Sequence, residues 1–320
     1  MRSILLVPSR DKFPGMGGVR EHLIQLAKCI ERSNNFSLGD SKGEILHVES
    51  SFRPHSKRRP DVYVCHGGFE PEPIPDVLRN MDEAKIVISV ARWMVPTYME
   101  SVASKTVVIP NGVDLSEYSP NLMRSTGMRP GYVLYPKTWS YHIEELFDIA
   151  RLMPKTKFLT IAGVDMHANV PRNVKSVGMQ DKRNFKNLIR DASCVILTGP
   201  EVCPTIMLEA WAIGTPIVFH NYDRGAWELA TWGHSHPICI GALPYTSTQR
   251  AVKAIEACSE GRGCFRLAGQ QKVADFFQWS VLFRRYELAY EAISHGTNAV
   301  EDFIEESQSW YTTRPTPLVD

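Results

Sequence analysis

Two carboxylates, Glu201 and Glu209, bracket the segment Glu-Val-Cys-Pro-Thr-Ile-Met-Leu-Glu, and Ala-Trp-Ala-Ile-Gly-Thr-Pro-Ile-Val follows directly. The apolar run Ala192–Gly199 reads as a short strand, so Glu201 stands just past a strand's carboxyl end. Pro204 suits the first position of the helix that follows, where its missing N–H costs nothing. The amides of Thr205, Ile206 and Met207 would then be unpaired at a helix N-terminus, a place suited to phosphate. The step from residue 201 to residue 209 spans roughly 12 Å along a helix. An acid and base pair of glycosidase type needs roughly 5–9.5 Å. Two carboxylates at this spacing better suit the ends of one long ligand with phosphates between them.

The elements that must position these groups alternate along the chain, which argues for parallel sheets covered by helices. Strands are expected at 3–8, 44–48, 61–65, 85–90 and 106–109, with helices near 19–32, 74–81 and 92–102. A second series has strands at 131–135, 156–161, 174–177, 193–198, 216–219 and 237–240, and helices near 142–152, 181–191, 204–213 and 246–258. The stretch from Asn111 to Pro130 is rich in turn formers and reads as the domain linker. The expected domains are 1–118, which is short, and 119–295, with a polar tail at 296–320 that crosses back to the first domain or stays partly disordered. Ligands of such sheets gather at the carboxyl ends of the strands.

With 36 basic and 35 acidic residues among 320, the chain lacks the charge bias of a nucleic-acid binder. No run reaches the roughly 18–20 apolar residues of a membrane span. The opening apolar stretch is too short for a signal peptide and reads as a first strand. The cysteines at 29, 65, 194, 203, 239, 258 and 264 are odd in number and show no C-x-x-C spacing. Reduced thiols in a cytoplasmic protein are the simplest account, with a peripheral place at a membrane left open.

Glu201 to Glu209, with Glu-Ala-x-Ala-x-Gly-x-Pro-x-Val from Glu209 on, resembles the E-x7-E signature of retaining glycosyltransferases of the GT-B fold, the family 4 group above all. Three further pieces stand in that group's order. They are Gly17-Gly18-Val19 before a helix carrying His22, the run Val107-Val108-Ile109-Pro110-Asn111-Gly112-Val113-Asp114, and Phe277-Gln278-Trp279 before a last long helix. The resemblance spans roughly 1–295 and implies an α/β fold of GT-B type, two doubly wound Rossmann-like domains facing across a cleft. It implies transfer of a hexose-type sugar from a nucleotide-diphosphate donor, with retention and no metal. The nucleotide sugar is a co-substrate and no cofactor is expected.

By that resemblance Glu201 touches the donor sugar and Glu209 holds the ribose, bidentate acceptance from vicinal hydroxyls being natural carboxylate chemistry. Without it, Glu201 reads as a solvated loop charge and Glu209 as a helix charge favoured by the macrodipole. Lys137 stands where the family has Arg, and His142 where it has Lys, both facing the diphosphate. Lys neutralises phosphate as a point charge without the bidentate fork of Arg. Pro204, Thr205 and Ile206 open the phosphate-binding helix. Gly17 and Gly18 let the backbone approach the donor phosphates, though a Gly-Gly pair is ordinarily a turn. His66 ends a strand and takes the family's place beside the reacting sugar; a strand-end His is otherwise a satisfied structural residue. Met179, after Gly178, matches the nucleobase position or belongs to the core.

Arg224-Gly225 resembles a Gly-rich turn of the family, with Glu228 structural. No Asp-x-Asp on a strand edge and no zinc spacing is present in the sequence. The basic run 53–59 reads as a solvated loop or as a contact with an anionic acceptor. The acceptor is open among glycan, lipid, protein and modified nucleic acid. The Lys137 and His142 replacements and the short first domain support another reading, a catalytically weak GT-B-like binding or scaffold subunit.

Overall fold

The computed structural model describes residues 1–7, 18–39, 43–49, 58–67, 75–118, 131–137, 142–164, 167, 169–233 and 241–310. By their contacts these fall into two units, Met1–Asp114 with the chain from Phe277 through the last helix, and Leu115–Phe276.

In the first unit β1 (Arg2–Val7), α1 (Gly18–Arg32), β2 (Phe36–Leu38), β3 (Ile45–Glu49), β4 (Val62–Cys65), α2 (Pro75–Glu83) and β5 (Ile86–Ser89) follow in order. A 3₁₀ helix (Arg92–Thr97), the short α3 (Glu100–Ala103) and β6 (Thr106–Val108) come next. The sheet runs β2-β1-β3-β4-β5-β6, parallel throughout. Every residue of β3, β4 and β5 is buried, the pattern of strands covered on both faces. The helix expected at 92–102 is broken. Pro96 has no N–H to donate, so the chain makes a 3₁₀ helix and then restarts at Glu100. β2 escaped the sequence reading because three residues carry no usable period; its pairing with β1 alone makes it a strand.

The second unit contains β7 (Val133–Tyr135), α4 (Ile143–Leu152), β8 (Phe158–Thr160), β9 (Val174–Ser176), α5 (Lys182–Asp191) and β10 (Cys194–Leu197). Then come α6 (Thr205–Ile213), β11 (Ile217–His220), α7 (Arg224–Thr231), β12 (Ala242–Tyr245) and α8 (Thr248–Lys272), which ends in a π-helical turn at Val273–Phe277. The order is β12-β11-β10-β7-β8-β9, again all parallel. Strand succession reverses between β7 and β10, and that switch point is where ligands of open α/β sheets bind. Tyr135, Phe147, Phe158 and Ile196 lie at the centre of the buried core. The strand expected at 237–240 lies outside the described residues. α7 adds a helix to those expected, capped by Asp223, which accepts from the Ala226 amide at 2.9 Å.

The last two helices, α9 (Trp279–His295) and α10 (Thr297–Ser309), group with the first unit, so the return of the chain comes at Phe277 and not at 296. The Val113 amide donates to the Phe277 carbonyl at 2.9 Å, and the Trp279 amide to that of Val113 at 3.1 Å. Gly112 makes this possible: a Cβ there would lie 2.5 Å from Leu282 Cδ1 and 2.8 Å from the Phe277 oxygen. The stretch expected as tail begins as a helix, with Val300, Phe303 and Ile304 buried.

Candidate functional site

In the second unit the groups with chemistry collect at the switch point. Lys137 follows β7, Glu201 follows β10, and these strands are neighbours. Lys137 Nζ lies 3.2 Å from Glu201 Oε1 and donates to the Gly199 carbonyl at 3.2 Å. The lysine side chain is 12% exposed and the carboxylate 38%, so the pair sits at an opening in the surface. Gly199 has no side chain because none fits: a Cβ would stand 2.8 Å from His142 Cδ2 and 3.0 Å from Lys137 Nζ. His142 therefore joins Lys137 over the same glycine. It takes a left-handed conformation (φ 59°) at the start of α4, and Thr198 Oγ1 donates to its carbonyl at 2.8 Å.

The Glu201 backbone is held from α7. Its amide donates to Asp223 Oδ1 at 3.3 Å, the atom that also caps α7. A Cβ on Gly225 would approach the carbonyl oxygens of Glu201 and Val202 to 2.3 and 2.4 Å, so glycine lets the helix end press on the loop. Asp223 is fully buried, and its Oδ2 has no hydrogen-bond partner among the described residues. Burial pushes its carboxyl up to about 7; the Ala226 and Glu201 amides pull the other way and Glu201's charge adds to the rise.

α6 begins one residue later than expected. Pro204 is its cap (φ −68°, ψ 98°), and Thr205 is its first residue. The Met207 amide is consumed, donating to the Pro204 carbonyl at 3.0 Å, which leaves the amides of Thr205 and Ile206 as the pair able to meet an anion. Glu209 lies one turn on, and Tyr118 donates to its Oε1 at 3.2 Å. Met179 follows Gly178 (φ 68°) beyond β9 at the sheet edge and is 56% exposed, so the core reading of this side chain is excluded. Arg224 and Gly225 open a helix and not a turn.

In the first unit Gly18 is the first residue of α1, while Gly17 lies outside the described residues, as do 53–57 of the basic run. His66 follows β4 and is drawn into a buried cluster that spacing along the chain could not reveal. Its Nε2 is 2.6 Å from Glu49 Oε2. Glu49 Oε1 meets His47 Nε2 at 3.0 Å and His22 Nε2 at 3.5 Å. His22 Nδ1 lies 3.2 Å from Asn111 Oδ1, and Tyr286 and Tyr290 bring hydroxyls to His22 Nε2 (3.2 Å) and His47 Nδ1 (2.9 Å). Burial drives the His22 imidazole down to about 3 and keeps it neutral. Burial also opposes charge on Glu49, but the imidazoles around it more than offset this and hold its carboxyl below the usual range. The spacing of His and Cys suggested no metal, yet the fold places ligand atoms of His22, Glu49 and His66 within 4.8 Å of one another.

No helix among the described residues is long and apolar enough to cross a membrane. No family model and no curated protein matches the sequence. Solved structures do match by fold. The HepE protein of Anabaena (Alr3699), crystallised with UDP-glucose, aligns with a TM-score of 0.66 and 15% identity over 92% of this chain and 100% of that one. A glycosyltransferase from Rickettsia africae aligns at 0.64 and 16%, covering 91% and 98%. WaaG, a glycosyltransferase of lipopolysaccharide biosynthesis, aligns at 0.59 and 10%, covering 88% and 98%. At these identities the likeness speaks for the fold alone, and the fold is that of the GT-B proteins: two Rossmann-like α/β units, each with a six-stranded parallel sheet.

Proposed function

We propose that the protein is a glycosyltransferase that moves a hexose-type sugar from a nucleotide-diphosphate donor to an acceptor hydroxyl, with retention at the anomeric carbon and no metal ion in the transfer step. The observation that carries the reading is the convergence of Lys137, His142, Glu201 and the α6 amides around the β7/β10 switch point. Cation, helix amides and carboxylate there match a sugar diphosphate part by part. Lys137 and His142, with the amides of Thr205 and Ile206, receive the diphosphate. Glu201 accepts hydrogen bonds from the donor sugar, and Glu209 from the ribose. That a protein of the same fold holds UDP-glucose supports a nucleotide sugar as the donor.

In the reaction the bond from the anomeric carbon to the β-phosphate oxygen breaks, and its electron pair leaves on the phosphate. The acceptor oxygen bonds to the same face and its proton passes to the departing phosphate. Fixed positive groups that meet charge as it develops are the strongest lever for such a step. Lys137 in place of Arg offers charge without a fork. His66, whose Nε2 is taken by Glu49 Oε2 at 2.6 Å, has no part in the transfer step in this reading.

One observation favours the other reading, a binding or scaffold subunit: Glu201 already neutralises Lys137. A thermal-shift screen of nucleotide diphosphates and their sugars, with and without Mg²⁺, separates the two. Ligands that bind only the folded chain raise its melting temperature by mass action. The transferase reading expects one nucleotide series to raise it, equally in both buffers. No shift with any of them at millimolar concentration overturns it in favour of the scaffold, and a shift that requires Mg²⁺ overturns the metal-free step.

A further inference from the structure

We propose that His22, Glu49 and His66 bind one zinc ion in the first unit. Two imidazole nitrogens and a carboxylate oxygen converge there, all within 4.8 Å of one another. They come from rigid elements: His22 from α1, Glu49 from the end of β3, and His66 from the residue after β4, with β3 and β4 paired in register at Glu49 and Val64.

The charge balance of the cluster points to a cation. Glu49 is fully buried, and among the described residues its ion-pair partners are three imidazoles, with no lysine or arginine. A carboxylate out of water is held by hydrogen bonds or by a cation, and the imidazole nitrogens that now supply the first are atoms able to ligate the second. A divalent ion between Glu49 and the two flanking nitrogens would meet the carboxylate's charge directly.

The surrounding groups already orient the ligands. The Asn111 side-chain oxygen accepts from His22 Nδ1–H at 3.2 Å, which keeps the proton on that nitrogen and directs the Nε2 lone pair toward Glu49. His47 donates from Nε2 to Glu49 Oε1 at 3.0 Å, and its own Nδ1 accepts from Tyr290 at 2.9 Å. Outer partners of this kind, a carbonyl on the far nitrogen and a donor on the carboxylate, are the usual supports of metal ligands.

The donor set selects the ion. Two nitrogens and one oxygen suit zinc, whereas calcium and magnesium take oxygen ligands. Ligands roughly 2.1 Å from a tetrahedral zinc stand roughly 3.4 Å apart. His22 Nε2 and Glu49 Oε1, at 3.5 Å, are close to that separation. His66 Nε2 and Glu49 Oε2, at 2.6 Å, must open by roughly 0.8 Å. The ion replaces the proton those two share and the Tyr286 hydroxyl on His22 Nε2. The proposal stands apart from the donor site of the second unit and does not depend on the transferase reading.

The test uses the full chain, stripped of metal, loaded with Zn²⁺ and passed through gel filtration. One zinc per chain is expected by elemental analysis, with a higher melting temperature than the stripped protein. In calorimetric titration with Zn²⁺ alone, Asn111→Ala weakens binding roughly ten- to hundredfold. His66→Gln weakens it at least as much, while Glu209→Ala leaves it as in the wild type. Because variants of a buried cluster can unfold, the wild type is also titrated with Co²⁺, which should develop the visible absorption of a tetrahedral site. No retained zinc, or no such absorption, overturns the proposal. So does zinc binding as tight as the wild type's by both His66→Gln and Asn111→Ala, which would put the ion elsewhere.

Discussion

Glu201 and Glu209 are supported in different ways, and this separates their expected roles. Glu201 is anchored through its backbone by Asp223 and through its carboxylate by Lys137, at the mouth of the β7/β10 switch point. Glu209 is oriented by the Tyr118 hydroxyl, on the helix whose first amides are the candidate phosphate contacts. Glu209→Ala should weaken nucleotide-diphosphate binding roughly tenfold or more, as expected for about 1.5–3 kcal/mol of charge-assisted hydrogen bonding. Glu201→Ala should leave nucleotide binding near the wild-type value and lower sugar transfer. Calorimetry with the nucleotide and an assay with its sugar would check both; equal binding by all three proteins would sink the assignment. A second residue-scale effect comes from Asp223. Its folded carboxyl titrates near 7, against 3.8 ordinarily, so the native state holds the proton more tightly than the unfolded chain. Between these values stability falls as pH rises, and the loss is complete above about 7. Asp223→Asn keeps an oxygen for the Ala226 and Glu201 amides but cannot ionise. Its melting temperature should fall less than that of the wild type between about pH 5 and pH 8, and parallel melting curves across that range would refute the buried, proton-binding Asp223.

At the scale of elements, the turn at Asn111-Gly112-Val113 and the Phe277-Gln278-Trp279 segment serve one purpose. They are the two sides of the seam that brings α9 onto the first sheet, where Leu282, Tyr286 and Tyr290 are fully buried. Gly112→Ala puts a methyl group into Leu282 and the Phe277 carbonyl, and should cost about 1–3 kcal/mol as an overpacked contact. Urea unfolding would measure it; an unchanged midpoint would mean the seam yields freely. Most long elements were legible in advance, because parallel strands buried on both faces read as continuous apolar runs and helices keep their period. The exceptions have separate physical reasons. β2 is made by pairing alone, Pro96 divides a helix that its neighbours suggested, and α7 hid behind a glycine that serves close packing.

For the molecule as a whole, the order of apolar runs and turn formers along the chain was enough to determine two parallel α/β sheets, and the spacing of Glu201, Pro204 and Glu209 marked the loop-to-helix junction of the candidate site. Both are local in sequence, since the hydrophobic period and the geometry of a helix start depend on neighbouring residues. Tertiary structure decided what depends on residues distant in the chain. It seated Lys137 and His142 together over Gly199, with Glu201 joined to that lysine, and clamped the Glu201 loop with the cap of α7. It moved α9 from the second domain to the first, and it gathered His22, His47, Glu49 and His66 around one buried charge. No spacing rule could reach that last cluster, because sheet order and the packing of α1, not sequence separation, set which side chains meet.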